Sequence, residues 1–247
     1  MNYWTMKALT VALLFVPPAA ASAHAADYDK TEKSPLYEFG LHVPAAAMAI
    51  SPLRDRILAL YKADADEAKR DAKNDKEDNP SFHPYYVTTT WRVTFENDTV
   101  LSLSANTYAD TGAAHPSDAF ESLVWDKQAG RIVAIDALFL PGLTQKALTA
   151  IADAATKSWT KIYAQRSGQK PGPNTDVASE GISADTKKLK TYALTYAKGQ
   201  RTANGIVLLY GAGEAWPHVL GDFRLSVPAA VFAKYLSPRW RPAFSPG

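Results

Sequence analysis

Val87, Thr89, Trp91, Val93 and Phe95 alternate with Thr88, Thr90, Arg92, Thr94 and Glu96. A period of two held over such a stretch describes a strand with one buried face and one polar face. Asn97-Asp98 sits where a two-residue hairpin loop belongs, and residues 100–108 run back. A turn of small residues at 108–116 leads into a third strand at 120–126. The loop Lys127-Gln-Ala-Gly130, with glycine at its left-handed position, then returns the chain along 131–135. Four strands joined by short turns predict an antiparallel meander.

Helical spacing brackets this block. Ser51-Pro52 reads as an N-cap followed by a first-turn proline, whose missing N–H costs nothing there. Leu53, Ile57, Leu60, Tyr61, Ala68 and Ala72 recur behind it until Asn79-Pro80 stops the helix. The charged face from Asp64 to Asp78 reads as solvated, with i,i+4 pairs such as Asp66 and Arg70. Pro141-Gly142 opens a second helix, where Leu148, Ile151, Ala155, Trp159 and Ile162 form a core-facing stripe. Residues 36–43 suit a first strand, whereas 27–33 are polar and read as loose. A long loop is expected at 165–183, strands at 189–196, 205–210 and 218–227, and a short helix from Pro228 through Tyr235. The basic, aromatic tail at 237–247 is expected to pack over the body. Together these elements predict an α+β fold, an antiparallel sheet with two main helices packed against it in a single unit.

The N-terminus reads as a signal peptide over residues 1–25. Lys7 precedes an apolar run at 8–16, Pro17-Pro18 breaks it, and Ala21-Ser-Ala23 and Ala23-His-Ala25 offer small residues for cleavage after Ala23 or Ala25. The run is too short for a spanning helix, which needs roughly 20 apolar residues. The expected destination is the periplasm or the exterior, with no membrane insertion after cleavage. Zero cysteines remove disulfides, thiol catalysis and thiolate metal sites together. A net charge of +2 from interspersed charges gives no footprint for nucleic acid.

No catalytic constellation is legible. His42, His83, His115 and His218 are far apart, and there is no H-E-x-x-H, G-x-S-x-G or P-loop pattern, so neither a metal nor a cofactor is expected. His115 has two readings: a ring held at the rim of a binding surface, or an imidazole locking its turn through backbone hydrogen bonds. Tyr210 and Trp216 flank a glycine-rich loop and could stack on a sugar or a partner, or pack as core.

Thr111-Gly-Ala-Ala-His-Pro116, followed by Trp125-Asp, Gly130 and Asp136-Ala-Leu-Phe139, resembles the domain of unknown function 3298 family. Gly221-Asp-Phe-Arg-Leu-Ser-Val-Pro228 resembles that family's closing strand. Tyr37-Glu-Phe-Gly-Leu-His-Val-Pro44, with Leu53 and the charged helix, is similar to the companion domain of unknown function 4163. The resemblance divides the chain into residues 34–100, 101–236 and a tail at 237–247. It implies an exported binding module, as in the outer part of RsiV-type anti-sigma factors that sense lysozyme, and not an enzyme. Here Gly-Gly of the family is Gly112-Ala113. The expected contact surface is Tyr108, Asp110, Thr111 and His115 from one loop, and Tyr210, Glu214 and Trp216 from the other. Its expected partner is a muramidase-like protein or peptidoglycan glycan. The alternative is an envelope glycan hydrolase using carboxylates near His115, drawn from Asp110, Asp118, Glu121 and Asp126; it requires two facing acids, one with a raised pKa.

Overall fold

A computed structural model describes residues 26–172, 181–196, 201–214 and 218–245. The expected leader and Trp216 lie outside the described residues. The strands are β1 (Tyr28–Ser34), β2 (Tyr37–Val43), β3 (Tyr85–Glu96), β4 (Val100–Asp110), β5 (Ser117–Asp126), β6 (Arg131–Ile132), β7 (Tyr192–Thr195), β8 (Gly205–Tyr210) and β9 (Phe223–Pro228). The helices are α1 (Ala45–Met48), α2 (Ser51–Asp78), α3 (Thr144–Ser167) and α4 (Ala229–Phe232). The fold is α+β, as the alternation predicts, but its strands form two sheets: β1-β2-β3-β4-β5-β6 and β7-β8-β9. Among the described residues every strand pair is antiparallel except β2–β3, which are parallel because α2 carries the chain back between them.

Each main helix covers one core. Leu53, Ile57 and Tyr61 of α2 pack on Phe39, Leu41, Trp91, Leu101, Leu103 and Leu123 of the large sheet. Leu148, Ile151, Ala155 and Trp159 of α3 pack on the small sheet, and Phe95, Val100 and Val124 of the large sheet belong to that same second core. A bulge makes this division possible. Val93 faces Leu103 and Phe95 faces Ser102, so Thr94 is an extra residue and the faces of β3 exchange there. Trp91 therefore points toward α2, and Phe95 points toward the small sheet. Buried Ser102 ties the two sheets: its Oγ accepts from Thr94 Oγ1 at 2.9 Å and from the Leu194 N–H at 2.9 Å.

Several elements differ from expectation. Residues 27–33, read as loose, fall almost wholly within β1 (Tyr28–Ser34). The strand is held by its ladder to β2, by Ser34 Oγ accepting the Leu36 and Tyr37 N–H groups (3.1 and 3.2 Å), and by Lys33–Glu38 at 2.9 Å. Apolar burial contributes little, so no hydrophobic pattern marks it, and its lysines suit an edge strand. Ile50, not Ser51, takes the N-cap position of α2, with no side-chain cap. Asp66 pairs with Lys62 rather than Arg70. The expected strand at 131–135 shortens to β6 and turns into a 3₁₀ segment at Ile135–Leu138. The segment at 189–196 shortens to β7, and His218–Leu220 is 3₁₀ before β9 begins.

The tail packs over the body as expected. Trp240, Ala243 and Phe244 are buried, and Arg239 reaches back to the buried Asp126, with Nε to Oδ2 at 2.9 Å. Burial alone would raise the Asp126 carboxyl. The hydrogen bonds from Arg239 and from the Ala129 and Gln128 N–H groups outweigh it and hold the carboxyl below its ordinary range. Arg239→Met should therefore destabilise the protein at neutral pH by about 2 kcal/mol, between the values for exposed and buried pairs. A carboxyl with a lowered folded pKa contributes its full stability above its unfolded pKa and loses it as pH falls through the folded value. Denaturant unfolding of the two proteins should show a gap that closes below about pH 4. A gap unchanged down to strongly acidic pH would contradict the assignment.

Candidate functional site

The two loops expected to form a contact surface are neighbours. Gly211 lies so close to β5 that a Cβ there would stand 2.4 Å from the Asp118 carbonyl oxygen. The His115 and His218 rings stack with centroids 6.2 Å apart. Within the first loop, Asp110 Oδ1 accepts the Gly112 N–H at 3.1 Å, so it is Asp110 that fastens the turn, and Gly112 takes φ +74°. His115 is exposed. In the second loop, Glu214 folds back to accept the Gly211 N–H at 2.9 Å. Tyr210 is buried and donates to the Lys188 carbonyl at 3.3 Å; burial, then Glu214, pushes its phenol up. Tyr210 and Glu214 border a cavity of about 320 Å³ together with Lys187, Lys188 and Lys190.

Tyr108 and Thr111 part company. Tyr108 stands on the large sheet's face opposite α2, while Thr111 borders a groove on the α2 side. That second groove, about 440 Å³, is edged by Asp64, Glu67 and Asp71 of α2 and by Glu121 of β5. Partial desolvation holds the Glu121 carboxyl above its ordinary range; Lys190 opposes this and Asp64 adds to it. Partial desolvation, with Glu67 adding, also raises Asp64. Asp126 lies at the far end of β5 from the His115 turn, paired with Arg239, so Asp110, His115 and Asp126 share no pocket. Among the described residues no group of three His, Cys, Asp or Glu side chains is placed to hold a metal ion.

The register of β3 and β4 builds a surface that sequence reasoning missed. Thr88 lies opposite Tyr108, Thr90 opposite Asn106 and Arg92 opposite Ser104, all on the face away from α2. Beyond the bulge this face is apolar and covered by the small sheet, but here it is polar. A groove of about 140 Å³ runs over it, walled by Phe120, Leu209 and Arg224. Two tyrosines rise from this half-face: Tyr86 is 44% exposed and Tyr108 36%, their rings edge to face at 6.2 Å. Asn106 donates from Nδ2 to Asp118 Oδ1 at 3.0 Å, which fixes the amide. Its Oδ1 is shielded from solvent and accepts no hydrogen bond among the described residues, an unmet acceptor that costs about 1–3 kcal/mol. The signal was present as the polar half of the alternation, with serine, asparagine and tyrosine on the returning strand. It became a site only through the bulged register.

A Cβ at Gly211 has no space that side-chain movement could open, because it meets backbone. Gly211→Ala should displace the loop from β5 and cost about 1–3 kcal/mol. Thermal unfolding reads the loss, and an unchanged midpoint would show that the loop is not fastened there.

A family model described as Deacetylase PdaC matches residues 30–118, the stretch that spans most of β1 through the start of β5. No curated protein matches the chain. Among solved structures, a DUF3298 family protein from Pseudomonas aeruginosa superposes with a TM-score of 0.58 at 14% identity, over 87% of this chain and 94% of that one. A DUF3298 family member from Bacteroides fragilis superposes with a TM-score of 0.50 at 14% identity, over 86% and 92%. The expected likeness to the domain of unknown function 3298 family is thus met in the fold.

Proposed function

We propose that this chain is a non-catalytic binding module exported to the cell envelope, and that its ligand is peptidoglycan glycan. The observation that carries the reading is the uncovered polar half of the large sheet. Two exposed tyrosines stand there beside a groove lined by Thr88, Thr90, Ser104 and Asn106. Aromatic rings cover the apolar faces of sugars, while hydroxyl and amide groups satisfy their hydroxyls. The matched family bears the name of a deacetylase. An acetamido sugar suits this floor, since the hydroxyls of Thr88, Thr90 and Ser104 and the Arg92 guanidinium can donate to its carbonyl oxygen. The leader expected at 1–25 and the resemblance to the outer part of lysozyme-sensing anti-sigma factors support an envelope setting. They keep a muramidase-like protein as the other candidate ligand.

The alternative is an envelope glycan hydrolase using carboxylates near His115; of its expected acids, Glu121 lies in the acidic groove, where Asp64 is its neighbour. Acid–base pairs work when their environments push the two pKa values apart. Here both carboxyls move upward, and neither is singled out as the ionised partner. The binding reading is therefore preferred.

Co-sedimentation with purified sacculi, run beside a pull-down of a muramidase, tests the proposal. Sacculi should retain the mature chain. Replacing both Tyr86 and Tyr108 with Ala should weaken retention about tenfold, each ring accounting for about 0.5–1.5 kcal/mol. Capture of the muramidase alone would move the ligand to protein. Retention of neither, or release of shortened glycan, would contradict a glycan-binding module.

A further inference from the structure

The groove over β3 and β4 carries more positive charge than a neutral sugar requires. Among the described residues its lining includes two guanidinium groups, Arg92 from β3 and Arg224 from β9, and no carboxylate. Arg92 is exposed and makes no ion pair or hydrogen bond among the described residues. Arg224 is set over the Phe120 ring, 5.0 Å from its centroid, and its Nε meets Asp222 at 3.3 Å. The acids nearest the groove are held at its end away from Arg92: Asp118, opposite Tyr108, accepts from Asn106, and Asp110 fastens its own turn. The carboxylates of Asp64, Glu67, Asp71 and Glu121 lie across the sheet, with the apolar α2 core between strands and helix.

The lining is also rich in donors. Two guanidiniums, which only donate, stand beside the hydroxyls of Thr88, Thr90 and Ser104, which donate as well as accept. Such a set fits a ligand rich in acceptors and anionic at one point. We propose that the groove selects carboxylate-bearing sugars. The planar fork of Arg92 takes the carboxylate in a paired hydrogen-bonding geometry, and the two tyrosine rings hold the sugar face. This inference rests on the glycan reading and names its selectivity. The carboxylate could belong to the lactyl ether of a muramic acid or to a uronic acid, and the two sources are separable by experiment.

Isothermal titration of the mature chain with three probes tests it: a neutral chitin tetramer, a muramic-acid-containing glycan fragment and an oligouronate. The muramic fragment should bind more tightly than chitin. Arg92→Gln should weaken it about tenfold or more, the range for a charge-assisted hydrogen bond. Arg92→Lys should restore only part of the loss, because an ammonium is a point charge. Raising salt from about 50 to about 500 mM should weaken the acidic ligands and leave chitin little changed. Since Arg92 is exposed, both variants should keep the wild-type thermal midpoint, and Arg224→Gln provides a second reading from the other wall. Equal affinity for chitin and the muramic fragment, or no response to Arg92→Gln, overturns the selectivity while leaving glycan binding intact. Binding of oligouronate without the muramic fragment keeps the selectivity and overturns peptidoglycan as the ligand. Binding of none of the three overturns both.

Discussion

Thr94 is an extra residue on β3, with no counterpart on β4, and it moves Phe95 onto the face opposite Trp91. The rest of the architecture follows from that one insertion. Before it, β3 gives its apolar side to α2; after it, β3 gives its apolar side to the small sheet and α3. A regular ladder would have placed all the large side chains on one face and left the second sheet nothing to bury. Ser102 fastens the join, since its buried hydroxyl oxygen is satisfied from Thr94 on one side and from the Leu194 N–H on the other. A buried polar atom so paired costs little and fixes the relative placement of the sheets. The remaining half of that second face, from Tyr86 to Arg92 and Ser104 to Tyr108, is bordered by Leu209 and Arg224 of the small sheet and keeps an open groove among the described residues.

The sheet is then a wall between two unlike surfaces. One groove is edged by four carboxylates, and the other is lined by two guanidiniums and hydroxyls. A net charge of +2 conceals this separation, because acids and bases cancel in the sum while remaining apart in space. Fields of this kind steer what approaches each face more than they stabilise the fold. The partial desolvation that raises Glu121 and Asp64 is the expected consequence of crowding acids beside an apolar floor.

Much of the fold was legible because its signals are periodic. The alternation of β3, the Asn97 turn, Gly130 with φ +62° and the stripe of α3 all report local geometry. What stayed hidden is non-local. β1 is held by ladder bonds and exposed charges, and the parallel β2–β3 pairing depends on where α2 returns the chain. Division into two sheets depends on one bulged residue that looks like any other polar member of the alternation. The expected loop residues are brought close together, but Tyr210 is buried and Glu214 and Asp110 satisfy their own turns. Of that set, Tyr108 borders the polar groove. Its companions there, Thr90, Arg92 and Asn106, read in sequence as an ordinary solvent face.

The bulge leaves a polar half-sheet open, and this is the surface proposed to receive the ligand. Amide chemical-shift mapping of the isotope-labelled mature chain, titrated with soluble peptidoglycan glycan fragments, tests it most directly. Shifts should concentrate on Thr88, Thr90, Arg92, Ser104 and Asn106 and fade toward α2. Shifts confined to the flank of Asp64, Glu67 and Glu121, or to the loop after Tyr210, with β3 and β4 silent, would contradict it.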